Sequence, residues 1–191
     1  MVWSSRALNY NDQSILENHH CAQGFTIMSD PECDILKYLS MEDKTHFRDI
    51  VIRMVLSTDI SRHAEIITKL KSGILQEFKV DSSEDIVHML KMFVKCADIG
   101  NPAKKLPLSK LWAERVMQEF YLQGDREKKL SLPVSNFMDR DKPNTAKAQD
   151  GFITYIAKPL FECLAQFEPN LQSTLDNVNN NRSYWREEMT R

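Results

Sequence analysis

An aspartate stands at the end of an apolar stretch in Lys95-Cys96-Ala97-Asp98-Ile99-Gly100-Asn101-Pro102, just before a turn signal. A carboxylate there is costly unless it is paired, hydrogen-bonded or bound to a metal ion. Taken alone, it also reads as an ordinary turn or cap residue. Upstream, Glu17, His19 and His20 crowd into one segment with Ile15, Leu16 and Phe25. Adjacent histidines on a helix point about 100° apart, so they do not make the i, i+4 pair of a metal site. Histidines packing a helix interface are the plainer reading. A third segment, Gln149-Asp150-Gly151-Phe152, sets an amide and an aromatic ring three residues apart on one helical face. The amide offers a donor and an acceptor and the ring a stacking surface, which together suit a purine. A glutamine beside a core phenylalanine is nevertheless commonplace.

Helices must position these groups. The chain has only five glycines in 191 residues, alternating strand patterns are scarce, and apolar residues recur at helical spacing, so an all-α domain is expected. Phe47, Ile50, Val51, Met54 and Val55 mark one face, and Ile86, Met89, Leu90, Phe93 and Val94 mark another, each at i, i+3, i+4, i+7 and i+8. Ser40 before Asp43 and Ser82 before Asp85 are start signals for those two helices. Further helices are expected at about 12–28, 60–76, 108–123, 146–166 and 169–180. Asn101-Pro102, Gly124-Asp125, Pro133 and Pro143-Asn144 punctuate them, and the run at 179–181 reads as a helix stop. Pro159 should kink or end the helix that contains it. Residues 124–146 lack a helical face and read as a functional loop.

The net charge of −2, with basic residues scattered among acids, asks for neither nucleic acid nor an anionic membrane. Four dispersed cysteines without a C-x-x-C pair, and an N-terminus without a signal-peptide core, suit a reduced, cytoplasmic protein. No apolar run reaches the roughly 18 to 20 residues that a bilayer-spanning helix needs. A single domain over residues 1–191 is the natural reading for this length.

The order of motifs is more specific than any one of them. Tyr10-Asn11-Asp12-Gln13-Ser14-Ile15-Leu16-Glu17-Asn18-His19-His20 comes first, followed by Thr58-Asp59. Then come Cys96-Ala97-Asp98 with Asn101-Pro102, Gln123-Gly124-Asp125, and Gln149 with Phe152. From about residue 7 to residue 185 this resembles the C-terminal portion of the catalytic domain of class I 3',5'-cyclic nucleotide phosphodiesterases. The resemblance implies an all-α, HD-like helix bundle, truncated at its N-terminus. It also implies hydrolysis of cyclic AMP, cyclic GMP or both to the 5'-monophosphate, by a hydroxide activated by zinc and magnesium, or manganese. In that pattern Asp98 looks like a zinc ligand, and Glu17 and Thr58 are similar to residues that hold metal-bound waters. Asn101 and Gln149 resemble the polar groups at the purine edge, and Phe152 one jaw of a base clamp. Val116, supported by Phe120 one turn on, would be the other jaw.

The family's H-N-x-x-H motif, which carries the general-acid histidine, and its following His-Asp pair do not occur here, and the pattern places them upstream of residue 1. No catalytic residue proper is therefore assigned. Asn136 stands where many relatives have proline, and Gly100 where several have serine; both are expected to adjust shape only. The alternative reading is an inactive phosphodiesterase-like fragment that serves as a binding or dimerisation module. In either reading, helices left uncovered would favour a homo-oligomer or pairing with another phosphodiesterase chain.

Overall fold

Side-chain caps open two of the long helices where the sequence places them. The structure, a computed structural model, describes residues 4–75 and 82–191, which contain helices and turns and no strand. The Ser40 hydroxyl accepts from the Asp43 amide at 3.0 Å, and the Ser82 hydroxyl from the Asp85 amide at 3.3 Å. The helical contacts gather into two compact units, Met1–Asp98 and Ile99–Arg191.

The first unit contains α1 (Ser5–Asn9), α2 (Ile15–Met28), α3 (Met41–Leu56), a 3₁₀ turn (Ile60–Arg62), α4 (His63–Leu75) and α5 (Ser83–Asp98). Helix α3 packs on α2 and α5, and α4 packs on α5. Ile66, Ile67, Leu70, Val87, Met92 and Cys96 are buried there. Each fully buried aliphatic side chain among them contributes roughly 1.5–3 kcal/mol relative to exposure. The buried side of α5 is not the expected stripe: Val87, Met92, Lys95 and Cys96 face inward, while Ile86 and Phe93 stay open to solvent. Helix α2 starts at residue 15 rather than 12, because Asn11, Asp12 and Ser14 adopt left-handed backbone at φ of 53°, 59° and 41°. Asn and Asp tolerate that region better than most residues. The expected end of α4 at residue 76 lies outside the described residues.

The second unit contains a 3₁₀ turn (Asn101–Ala103), α6 (Leu106–Lys129), α7 (Thr145–Phe152), a π segment (Ile153–Ala157), α8 (Lys158–Phe167), a 3₁₀ turn (Pro169–Leu171) and α9 (Gln172–Glu188). Met117, Tyr121, Ile153, Leu160, Phe161, Leu164, Val178 and Trp185 are buried. Pro159 does not end its helix. The backbone widens to π geometry just before it, which accommodates a ring without an N–H inside a helical path. Helix α6 runs to Lys129, so Gly124 lies inside the helix and is not a stop. The run at 179–181 is not a stop either, since α9 continues to Glu188 and Asn181 is buried within it. No helix among the described residues is long and apolar enough to cross a membrane.

Candidate functional site

Helices α6 and α7 contact each other in the second unit and wall a cavity of about 280 Å³. Ala113, Val116, Met117 and Phe120 project into it from α6 at i, i+3, i+4 and i+7, and Ala148, Gln149 and Phe152 from α7. Asn101 enters from the 3₁₀ turn. The five residues singled out for base recognition, Asn101, Val116, Phe120, Gln149 and Phe152, thus border one space. Its walls are apolar, and among the described residues the Gln149 and Asn101 side-chain amides make no hydrogen bond to other protein groups. Amides left without a protein partner in an apolar cleft favour a ligand with complementary polar edges. The volume lies near the lower end of the small-molecule range, which suits a nucleobase-sized group.

Helix α9 anchors residues next to both polar groups. Asn181, 1% exposed, donates from its Nδ2 to the carbonyls of Pro102 at 2.7 Å and Lys104 at 2.8 Å, and Asn177 donates to the carbonyl of Ala103 at 3.0 Å. These bonds hold the turn that carries Asn101. Arg182 donates to Asp150 at 3.1 Å, a half-buried ion pair next to Gln149 in the chain.

Phe137, for which sequence reasoning found no role, is a further wall of the cavity. It sits in the loop of residues 130–144 with φ of 65°, a left-handed conformation that costs a non-glycine residue of order 1–2 kcal/mol. The loop is clasped to α6. Arg140 donates to both oxygens of Asp125 at 2.6–2.9 Å, Lys128 to Asp139 and Asp141 at 2.6 Å, and the Ser135 amide and hydroxyl to Glu127 at 2.8 Å. The Met138 carbonyl lies so close to Gly124 that any Cβ there would run into it. The Gln-Gly-Asp segment therefore docks this loop; a lone aromatic among loop charges carried no periodic signal by which Phe137 could have been found.

Asp98, Glu17 and Thr58 lie in the first unit. Asp98 is the exposed last residue of α5, Glu17 is half-buried in the first turn of α2, and Thr58 follows α3 with its hydroxyl donating to the Val55 carbonyl at 2.7 Å. Two contacts draw their elements together. The Ser14 hydroxyl, at the start of α2, donates to Asp59 at 2.7 Å and holds that carboxyl below the usual carboxylate range, aided by Ser61. The buried Lys95 ammonium donates to the Ser57 carbonyl at 2.9 Å; burial pushes its pKa down, and the charges of Asp98 and Asp59 oppose that. Among the described residues no group of three or more His, Cys, Asp or Glu side chains is placed to hold a metal ion. A catalytic zinc takes three protein ligands and a two-metal centre more, so one carboxylate beside a lysine does not fit such a centre by itself. His19 lies 3.4 Å from the Tyr10 hydroxyl through Nδ1, a contact that suits a packing histidine.

Residues 2–178 match the family model described as 3'5'-cyclic nucleotide phosphodiesterase. The chain is 42% identical over 190 residues to the 3',5'-cyclic-AMP phosphodiesterase 4C of Rattus norvegicus, covering 95% of this chain and 35% of that protein. It is 39% identical over 193 residues to isoform F of the 3',5'-cyclic-AMP phosphodiesterase of Drosophila melanogaster, covering 95% of this chain and 29% of that one. The chain thus spans about a third of the length of these relatives. Among solved structures, LmjPDEB1 in complex with IBMX superposes with a TM-score of 0.91 at 31% identity, over 98% of this chain and 57% of that one. The phosphodiesterase domain of the RhoPDE fusion protein from the choanoflagellate Salpingoeca rosetta gives 0.89 at 30% identity, over 96% and 59%.

Proposed function

Because the chain belongs to the 3',5'-cyclic nucleotide phosphodiesterase family, we propose that the cavity between α6 and α7 binds the base of cyclic AMP and presents the nucleotide for hydrolysis to the 5'-monophosphate. One observation carries the reading: two amides without protein partners among the described residues, Gln149 and Asn101, stand in an otherwise apolar cavity beside the Phe152 ring. The curated relatives are named as cyclic-AMP phosphodiesterases, which favours adenine as the base.

The chain's own residues account for binding and orientation. The adenine amino group donates to the Gln149 carbonyl oxygen while the Gln149 amide donates to a ring nitrogen, and Asn101 adds a second polar anchor. Phe152 and Val116 take the two faces of the base, with Phe120 behind Val116 and Phe137 closing a further side. Asp98 would bring one carboxylate to the divalent metals of a complete phosphodiesterase centre, with Glu17 and Thr58 beside it as hydrogen-bonding groups. Zinc, magnesium or manganese would supply an activated hydroxide and charge stabilisation there, from ligands in addition to those in this chain. The shortfall in ligands makes the binding function separable from turnover.

The expected result for purified chain is saturable cyclic AMP binding that Gln149→Ala weakens about tenfold, or ~1.4 kcal/mol, for the loss of paired hydrogen bonds. No hydrolysis is expected with zinc and magnesium added. Equilibrium dialysis and a nucleotide assay read the two quantities. Unchanged affinity in Gln149→Ala would overturn the base-recognition role, and turnover abolished by Asp98→Ala would overturn the claim that the metal site needs further ligands.

A further inference from the structure

Helices α3, α4 and α5 of the first unit enclose a second, small cleft of about 40 Å³ that shares no residue with the cavity above. Its charged lining is Arg53 from α3, Arg62 from the 3₁₀ turn, Glu65 and Lys69 from α4, and His88 and Lys91 from α5. Three of the four Arg and Lys side chains have acidic neighbours. Arg53 donates to both oxygens of Glu84 at 2.7 and 2.8 Å and lies 3.7 Å from Asp49. Arg62 and Lys69 share Glu65 at 3.8 and 2.6 Å. Lys91 is half-buried and, among the described residues, has no carboxylate within ion-pair distance. Burial, and after it the charge of Arg53, holds its pKa below that of an ordinary lysine; Lys69 and Arg62 add to the effect and Glu84 opposes it.

The half-buried Lys91 ammonium shares its cleft with three further cations and only one carboxylate, Glu65, and an anion that contacts several of the cations at once relieves their repulsion. Guanidinium groups offer planar forks that match the oxygens of a tetrahedral oxyanion, and an ammonium adds a point charge. The cleft holds little more than the volume of one water molecule, ~30 Å³, so a tetrahedral oxyanion would seat only part of itself there, with its remaining oxygens in solvent, and a nucleotide is too large. We propose that this cleft is a phosphate-binding site centred on Lys91, with Arg53, Arg62 and Lys69 as its other cations. The phosphate group comes either as the free ion or on a phosphorylated side chain of a protein segment.

The test uses the full 191-residue chain and per-lysine acetylation read by mass spectrometry at constant ionic strength, with Lys147 as internal control. Inorganic phosphate and a phosphoserine peptide form the two arms, against chloride and the unphosphorylated peptide. The expected result is saturable protection of Lys91, about tenfold at saturation, with Lys147 unaffected. Protection in one arm only would identify the source of the phosphate. Arg62→Gln and Lys69→Gln, both at exposed positions, should each shift half-protection to a several-fold higher concentration while the melting temperature holds. Protection no greater than with chloride in both arms, or full protection retained when Arg62→Gln and Lys69→Gln are combined, would overturn the proposal.

Discussion

Gly124→Ala is expected to lower the melting temperature of the chain by about 4–8 °C, although alanine is the better helix former. Helix propensity favours the substitution by up to ~1 kcal/mol. Against it stands the Met138 carbonyl, a backbone atom that cannot rotate away, in the space the new Cβ would need. Relief requires the loop of residues 130–144 to lift from α6, straining the Asp125–Arg140 and Glu127–Ser135 contacts. Overpacking of this kind costs typically 1–3 kcal/mol and more where backbone must shift, so a net loss of roughly 2 kcal/mol is expected. Phe137 rides on the same loop, so cyclic AMP affinity should fall with stability. Gly151→Ala is the control: it lies inside α7 with open space at its Cβ position. It should leave stability unchanged or raise it by up to ~1 kcal/mol. Thermal melts of the two variants decide the matter, and equal melting temperatures would contradict the close approach at Gly124.

Asn181→Leu should cost more, about 2–5 kcal/mol in urea or thermal unfolding. The side chain is buried, and its amide is the donor to two carbonyls, those of Pro102 and Lys104. Leucine fills a similar volume but donates to neither, and a buried acceptor left without a donor costs ~1–3 kcal/mol. The released segment carries Asn101, so the variant should also bind cyclic AMP more weakly under conditions where it remains folded. Asn177 keeps its bond to the Ala103 carbonyl and limits the displacement. Stability within 1 kcal/mol of the parent would show that α9 does not hold this turn.

Those two residues also mark where the sequence stopped being readable. Start signals located the beginnings of α3 and α5 to within a few residues, because the Ser40 and Ser82 caps act locally. Gly124 and the asparagines at 179–181 suggested helix ends, but each serves a contact distant in sequence: a loop carbonyl for Gly124, two turn carbonyls for Asn181. Local preference has no access to such partners. The open side of α5 has a related cause, since burial selected the faces with Val87, Met92 and Lys95 over the more apolar Ile86–Phe93 stripe. In the cavity, i, i+3 spacing joined Gln149 to Phe152, but their association with Val116 and Asn101 came from resemblance to a family, not from spacing. Phe137 and the Lys91 cleft depend on tertiary approach alone.

In the proposed complex the base of cyclic AMP lies between Val116 and Phe152. This placement is tested most directly by nuclear Overhauser contacts from the adenine H2 and H8 protons in the chain saturated with cyclic AMP. Contacts to the Phe152 ring and the Val116 methyl groups, lost together with saturable binding in Phe152→Ala, are the predicted result. Saturable binding whose adenine contacts fall on residues outside this cavity, or no saturable binding at all, would contradict it.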